Sequence, residues 1–92
     1  QKMLSDKSKW PVALTEADRL LDKALIKRGY KGQSMGERLV SAQREFSNND
    51  CVWFAHKLVK KLTEEPDTKL KEADVKKALI GLRQGLRDLG AL

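Results

Sequence analysis

Apolar residues recur at steps of three and four positions in four separate segments of this chain, and no stretch of useful length alternates apolar with polar residues. Steps of three and four place side chains on one face of an α-helix, whereas a half-buried β-strand alternates with a period of two. Short connections between helical segments favour antiparallel neighbours. The sequence therefore predicts an all-α fold, an up-and-down bundle of about four helices.

The first helix is predicted from Trp10 to Arg28. Pro11 suits the first turn, where its missing N–H is not needed, and Gly29 follows the last periodic residue as a stop signal. The predicted buried stripe comprises Trp10, Ala13, Leu14, Ala17, Leu20, Leu21, Ala24 and Leu25.

The second helix is predicted to begin after Ser34, because Ser34 and Glu37 have the spacing of a capping box. We expect a helix of about 12 residues, short enough to depend on packing for its stability. Its predicted apolar positions are Met35, Leu39, Ala42 and Phe46, and its predicted outward positions are Glu37, Arg38, Arg44 and Glu45.

The third helix is predicted to begin after the polar break at 47–50 and to end before Pro66, since proline disfavours helical geometry in the residue ahead of it. The fourth is predicted from about Lys71 to Leu89. Gly81 and Gly85 lie inside it, and each costs roughly 1 kcal/mol relative to alanine. Close approach of another helix would explain these glycines, and so would ordinary weak points.

The 92 residues suffice for one hydrophobic core, so we expect a flexible N-terminal segment over 1–9 and a single helical domain over 10–92. Cys51 is the only cysteine, so no intrachain disulfide can form and a cytoplasmic location is favoured. The longest apolar runs fall far short of the roughly 20 residues that cross a bilayer. Because the chain opens at Gln1 like a trimmed fragment, we expect a membrane anchor only in a segment upstream of it.

The formal net charge of +6 favours attraction to nucleic-acid phosphates or to anionic surfaces. Lysines concentrate in two places, at Lys57, Lys60 and Lys61 and at Lys76 and Lys77. These five are the candidate nucleic-acid-binding residues, although lysine is also the usual residue on the solvated face of a helix.

The residue types that catalysis and metal binding need are scarce. With His56 the only histidine and Cys51 the only cysteine, and with no glycine-rich phosphate loop, we expect no metal, cofactor or small-molecule site. His56 is expected to form a structural hydrogen bond between helices rather than to act as a base. Trp10 and Trp53 fall on core stripes, whereas Phe54 lies off the stripe of its helix and its role stays open.

Five stretches stand out by their order along the chain: Glu16-Ala17-Asp18-Arg19-Leu20-Leu21-Asp22, Gly29-Tyr30-Lys31-Gly32, Gly36-Glu37-Arg38-Leu39, Val52-Trp53-Phe54-Ala55-His56-Lys57-Leu58 and Asp88-Leu89-Gly90-Ala91-Leu92. In this order they resemble a family of small bacterial helical domains that is similar to the HEPN superfamily. The resemblance covers most of the chain and implies a HEPN-like bundle.

HEPN ribonucleases carry an arginine, a polar residue and a histidine a few positions on, and two subunits bring these groups together to cut RNA. Where the relatives read Arg-Asn-Arg-Ile-Ala-His-Glu-Pro, this chain reads Val59-Lys60-Lys61-Leu62-Thr63-Glu64-Glu65-Pro66. Val59 replaces the arginine and Glu64 the histidine, so the resemblance implies a degenerate member without the ribonuclease motif. It also implies a groove shared by two copies, with Phe54, Val59 and Thr63 as interface candidates.

We therefore expect a non-catalytic interaction module that self-associates or binds a protein partner. The alternative is a basic domain that binds RNA or DNA through its lysines. A third hypothesis is a HEPN-type ribonuclease whose site is relocated to His56.

Overall fold

The computed structural model describes residues 7–91 and confirms an all-α bundle, with four α-helices and no strand in this range. The helices are α1 (Trp10–Lys27), α2 (Met35–Ser41), α3 (Asn49–Glu64) and α4 (Glu72–Asp88), and two 3-10 turns cover Lys7–Lys9 and Gln43–Glu45. Residues 1–6, most of the segment predicted to be flexible, lie outside the described residues, as does Leu92. Between residues 7 and 91, no helix combines the length and the apolar character needed to span a bilayer.

Helices α3 and α4 pack against each other in opposite directions. Near the start of α3, the backbone of Cys51 lies against Gly81. One turn further along α3, Phe54 lies under the side chain of Lys77, which precedes Gly81 in α4. The α3–α4 pair is therefore antiparallel.

Helices α1 and α4 run in the same direction. Trp10, at the start of α1, shares a surface pocket with Leu70, which precedes α4. At the other end, the Arg28 guanidinium donates to the Leu89 carbonyl oxygen at 2.9 Å. With α3 antiparallel to α4, the three long helices form an up-down-up arrangement, and the short α2 lies in the connection between α1 and α3.

The core lies where the three long helices and α2 meet. Its largest fully buried side chains are Leu14, Leu21, Leu25, Leu39, Val52, Val75 and Leu82. Each such side chain stabilises the fold by about 1.5–3 kcal/mol relative to an exposed one. The predicted stripe of α1 is wrong at Leu20, which is 54% exposed at the edge of the contact between α1 and α4.

Helix α2 is shorter than predicted. Ser34 caps its start by accepting the Glu37 N–H at 3.3 Å, as the sequence predicted, but the helix ends at Ser41. The Ser41 hydroxyl donates to the Lys31 carbonyl oxygen at 2.9 Å, which ties this end of α2 to the segment after α1. Phe46 still reaches the core, from the residue after the second 3-10 turn.

Arg38 points inward, contrary to the prediction. Its guanidinium donates two hydrogen bonds to the Asp22 carboxylate, at 2.7 and 3.0 Å, and a third to the Gly32 carbonyl oxygen at 2.8 Å. The Asp22 hydrogen bonds raise the pKa of Arg38 above its ordinary value, more than burial lowers it. This fork joins the start of α2 to α1.

The two glycines of α4 lie where another chain segment approaches closely. A Cβ placed on Gly81 would lie 2.7 Å from the Cys51 carbonyl oxygen, far inside ordinary contact. On Gly85 it would lie 3.3 Å from methyl carbons of Leu21 and Val52. Close helix approach, and not an ordinary weak point, therefore explains Gly81.

Candidate functional site

The outward face of α3 carries the three lysines that the sequence singled out. At 100° per residue, Lys57, Lys60 and Lys61 fall within an arc of about 100°. All three are exposed, and none forms an ion pair with a residue in the described range 7–91. Asp50 and Glu64 lie on the same face, near its two ends. The middle of this face is therefore positively charged.

Lys77 extends this positive region from α4 onto α3. Its ammonium nitrogen lies 4.5 Å from the centroid of the Phe54 ring, a cation–π contact across the helix pair. Phe54 is only partly exposed and packs against the core. Lys76 is turned by about 100° from Lys77, towards the outer side of α4.

The outer side of α4 carries Lys76 and two arginines that were not among the nucleic-acid-binding candidates predicted from the sequence. Lys76, Arg83 and Arg87 follow one another at steps of seven and four residues, so they share one stripe. All are exposed, and neither arginine side chain forms an ion pair or hydrogen bond within the described part of the chain. The spacing of seven and four residues is visible in the sequence and could have identified this stripe.

The stripe on the outer side of α4 is turned by about 120–160° from Gly81, the residue of α4 that faces α3. The exposed Ile80 lies between that stripe and Lys77, so the stripe does not adjoin the α3 lysines. We call the outward face of α3 together with Lys77 the basic face, and its cations are Lys57, Lys60, Lys61 and Lys77. Side chains of one charge sign on adjoining helices raise the local potential and attract anions. The basic face brings together four of the five predicted lysines, and Lys76 lies apart from them on the other side of α4.

His56 lies on the side of α3 that faces α1. Its Nδ1 is 3.4 Å from Oδ1 of Asp18, which is 8% exposed. The Trp53 ring packs edge-on against the imidazole, with the ring centroids 6.1 Å apart. The contact joins two helices, which is the structural role expected for His56, and no cluster of His, Cys, Asp and Glu within 7–91 could hold a metal ion.

The positions matched to the ribonuclease motif do not form a common surface. Val59 is 7% exposed and belongs to the core of its own chain, so the expectation that it faces a second copy needs correction. Thr63 is exposed, and its hydroxyl donates to the Val59 carbonyl oxygen at 3.1 Å. Glu64 is exposed at the end of α3.

The other aromatic rings offer little free surface. Trp10 is 2% exposed, in agreement with its predicted core position, and its indole N–H has no hydrogen-bond partner among residues 7–91. Trp53 is half-buried against the core, less deeply than predicted. No ring is therefore displayed openly on the basic face.

Asp88, in the last turn of α4, has a shifted pKa. Burial raises this pKa, but hydrogen bonds from the Ser47 N–H, the Gln84 amide and the Ser47 hydroxyl together outweigh burial and hold it below the ordinary value. The two Ser47 bonds, 2.8 and 3.0 Å long, tie the end of α4 to the segment before α3. Asp88 is thus a structural carboxylate.

Comparison with protein-family models, with curated proteins and with solved structures finds no match to this chain. The resemblance to HEPN-like domains stays a prediction.

Proposed function

We propose that this domain is a non-catalytic binding module whose basic face docks onto the phosphate backbone of a nucleic acid. The observation that carries the proposal is the set of four exposed cations on the basic face, none of them ion-paired within residues 7–91. When cations without protein partners bind phosphates, the nucleic acid releases its condensed counterions, and this release drives binding.

The aromatic side chains favour backbone recognition over base recognition. Proteins that hold single strands stack bases on exposed rings. Here Phe54 lies under Lys77, Trp10 is buried, and Trp53 packs against His56. Lysine side chains act as flexible point charges, which suits phosphate contacts that carry no sequence information. We expect binding to RNA and to duplex DNA with little sequence preference.

Two observations support a non-catalytic role. Valine and glutamate occupy positions 59 and 64, where the resemblance would require arginine and histidine. His56 is held against Asp18 and Trp53 at the α1–α3 contact, away from the centre of the basic face. RNA turnover that disappears in His56→Ala would contradict this part of the proposal.

The test is a titration of fluorescein-labelled RNA and of labelled duplex DNA with the protein. Fluorescence anisotropy reports the binding at salt concentrations between about 50 and 200 mM. The variant Lys57→Gln/Lys61→Gln should weaken binding. It should also reduce the slope of log affinity against log salt by up to about 2, since each phosphate contact contributes about 0.7–0.9 to that slope. Lys23→Gln/Lys27→Gln, on α1, removes the same charge from another surface and is the matched control.

An equal loss in both double variants would mean that net charge alone attracts the nucleic acid, and the basic face would have no special role. Binding that does not weaken with salt would also contradict the proposal.

Self-association through Phe54 and Thr63 is the weaker hypothesis, because Val59, the residue that motivated it, is buried in its own chain. Sedimentation at high protein concentration tests it directly.

A further inference from the structure

A surface pocket lies between α1 and α4, on a different side of the bundle from the α3 lysines. Its lining residues are Leu20, Lys23, Ala24, Lys27, Leu86 and Ala91. We call it the α1–α4 pocket. At its edge Leu20 is 54% exposed, while Leu86, at 8%, forms the floor.

The floor of the α1–α4 pocket is apolar. Leu20, Ala24, Leu86 and Ala91 contribute no charged group, and the cavity measures about 370 Å³. That volume is at the lower end of the range for ligand sites, roughly 300–1,000 Å³, and can accept one large aliphatic side chain. Covering the half-exposed Leu20 beside this floor is favourable in free energy, because burial removes apolar surface from water.

The rim of the α1–α4 pocket is positively charged. Lys23 and Lys27 lie one helical turn apart, about 6 Å along the axis. Both are exposed, and neither forms an ion pair or hydrogen bond within residues 7–91. No acidic side chain lines the pocket. Like charges at this spacing repel each other slightly, so an anionic group between them is favourable.

We infer that the α1–α4 pocket binds an acidic peptide segment of a partner protein, which inserts one large aliphatic side chain between flanking carboxylates. The phosphates of a nucleic acid would pair with Lys23 and Lys27, but a nucleic acid has no aliphatic side chain to fill the floor of the pocket. A neutral apolar segment would fill the floor but leave the lysines without a counter-charge. Only the combination matches both features, and amphipathic helices offer it at steps of three and four residues.

The probe is a labelled synthetic helix of 12 alanine-rich residues with one central leucine and glutamates three and four positions to either side, at the spacing of one helical turn, about 5.4 Å. Anisotropy should report saturable binding. Replacing the probe leucine by serine, or its glutamates by glutamine, should each weaken binding by about tenfold, the equivalent of about 1.4 kcal/mol.

On the protein, Leu20→Ser and Lys23→Glu/Lys27→Glu should each lower affinity for the probe by about tenfold or more. Ile26→Ser is the matched apolar control, since Ile26 is 56% exposed on α1 but does not line the pocket. Lys57→Glu/Lys61→Glu is the matched charge control. It should weaken nucleic-acid binding and leave the probe unaffected, so this inference and the proposed function can fail separately.

Three outcomes would overturn the inference. The first is a serine probe that binds as well as the leucine probe, which would reduce the interaction to charge. The second is an equal loss of affinity in the α3 charge control. The third is Leu20-dependent binding to phosphatidylglycerol vesicles with no binding to the probe, which would assign the pocket to a membrane surface.

Discussion

Gly81→Ala tests whether α3 and α4 must touch through their backbones. A Cβ at position 81 would lie 2.7 Å from the carbonyl oxygen of Cys51, and 2.8 Å from its carbonyl carbon and its Cβ. Ordinary van der Waals contact begins near 3.4 Å. The obstructing oxygen and carbonyl carbon are backbone atoms within α3, so a side-chain rotation cannot relieve the contact. The two helices would have to move apart.

Two opposing effects determine how much Gly81→Ala changes the free energy of unfolding. Alanine stabilises a helix interior by about 1 kcal/mol relative to glycine. Overpacking in a well-packed contact typically costs about 1–3 kcal/mol, and a clash with backbone atoms belongs at the upper end. The net loss is therefore about 2 kcal/mol. For a domain of this size, 1 kcal/mol shifts the Tm by about 4–8 °C, so we expect the Tm to fall by about 8–16 °C.

Urea and thermal unfolding, followed by circular dichroism and by emission of Trp10 and Trp53, would measure the change. Gly36→Ala is the control, because its added Cβ would meet only the Ser34 hydroxyl oxygen at 3.8 Å. We expect it to be neutral or to stabilise by up to about 1 kcal/mol. Gly81→Ala at least as stable as the unchanged chain would refute the close approach of α3 and α4.

Three further substitutions probe the contacts that join the elements. Arg38→Lys removes the two-bond fork to Asp22 and should lower the free energy of unfolding by about 1–2 kcal/mol, read from the urea midpoint. Asn48→Ala removes the acceptor of the Cys51 N–H at the start of α3 and should cost about 1 kcal/mol in the same assay. Asp88 has a lowered pKa, so its contribution is present above the ordinary carboxyl pKa, about 4, and is lost as pH falls through its folded value. Asp88→Asn should therefore be less stable near neutral pH and lose less stability on acidification, as urea midpoints from pH 7 to pH 2 would show.

Local signals in the sequence predicted the boundaries of the three long helices closely, but not the end of α2. Gly29 does end α1, because it adopts a positive φ of 84° that other residues avoid. Pro66 does follow the end of α3 by two residues. Such signals act within one turn of the chain, so they can be interpreted without the tertiary structure.

Features that depend on neighbouring helices could not be predicted in the same way. Periodicity shows which residues share a face, but the width of the buried arc depends on how many helices cover it. Leu20 and Val59 both sit on apolar steps, yet the first is 54% exposed and the second 7%. Arg38 looked like a surface residue because its partner, Asp22, lies 16 positions away in another helix.

Only part of the candidate site could be predicted, because the rest also depends on how neighbouring helices pack. The lysines at 57, 60 and 61 share a face by helical spacing alone. That Lys77 joins them depends on the antiparallel packing of α4 against α3, which places its ammonium over Phe54. The α1–α4 pocket has no sequence signature, because its floor combines residues more than 60 positions apart in the chain.

The hydrogen bond from Arg28 to Leu89 marks the pole of the bundle at which α1 and α4 both end. Because α1 and α4 are parallel, the chain enters beside Trp10 at one pole and exits after Leu89 at the other, separated by roughly the 27 Å length of α1. Two copies joined head to tail by a short linker would stack in line as a rod instead of folding back side by side. Insertion into a loop of a host protein, which needs adjacent ends, would strain the bundle.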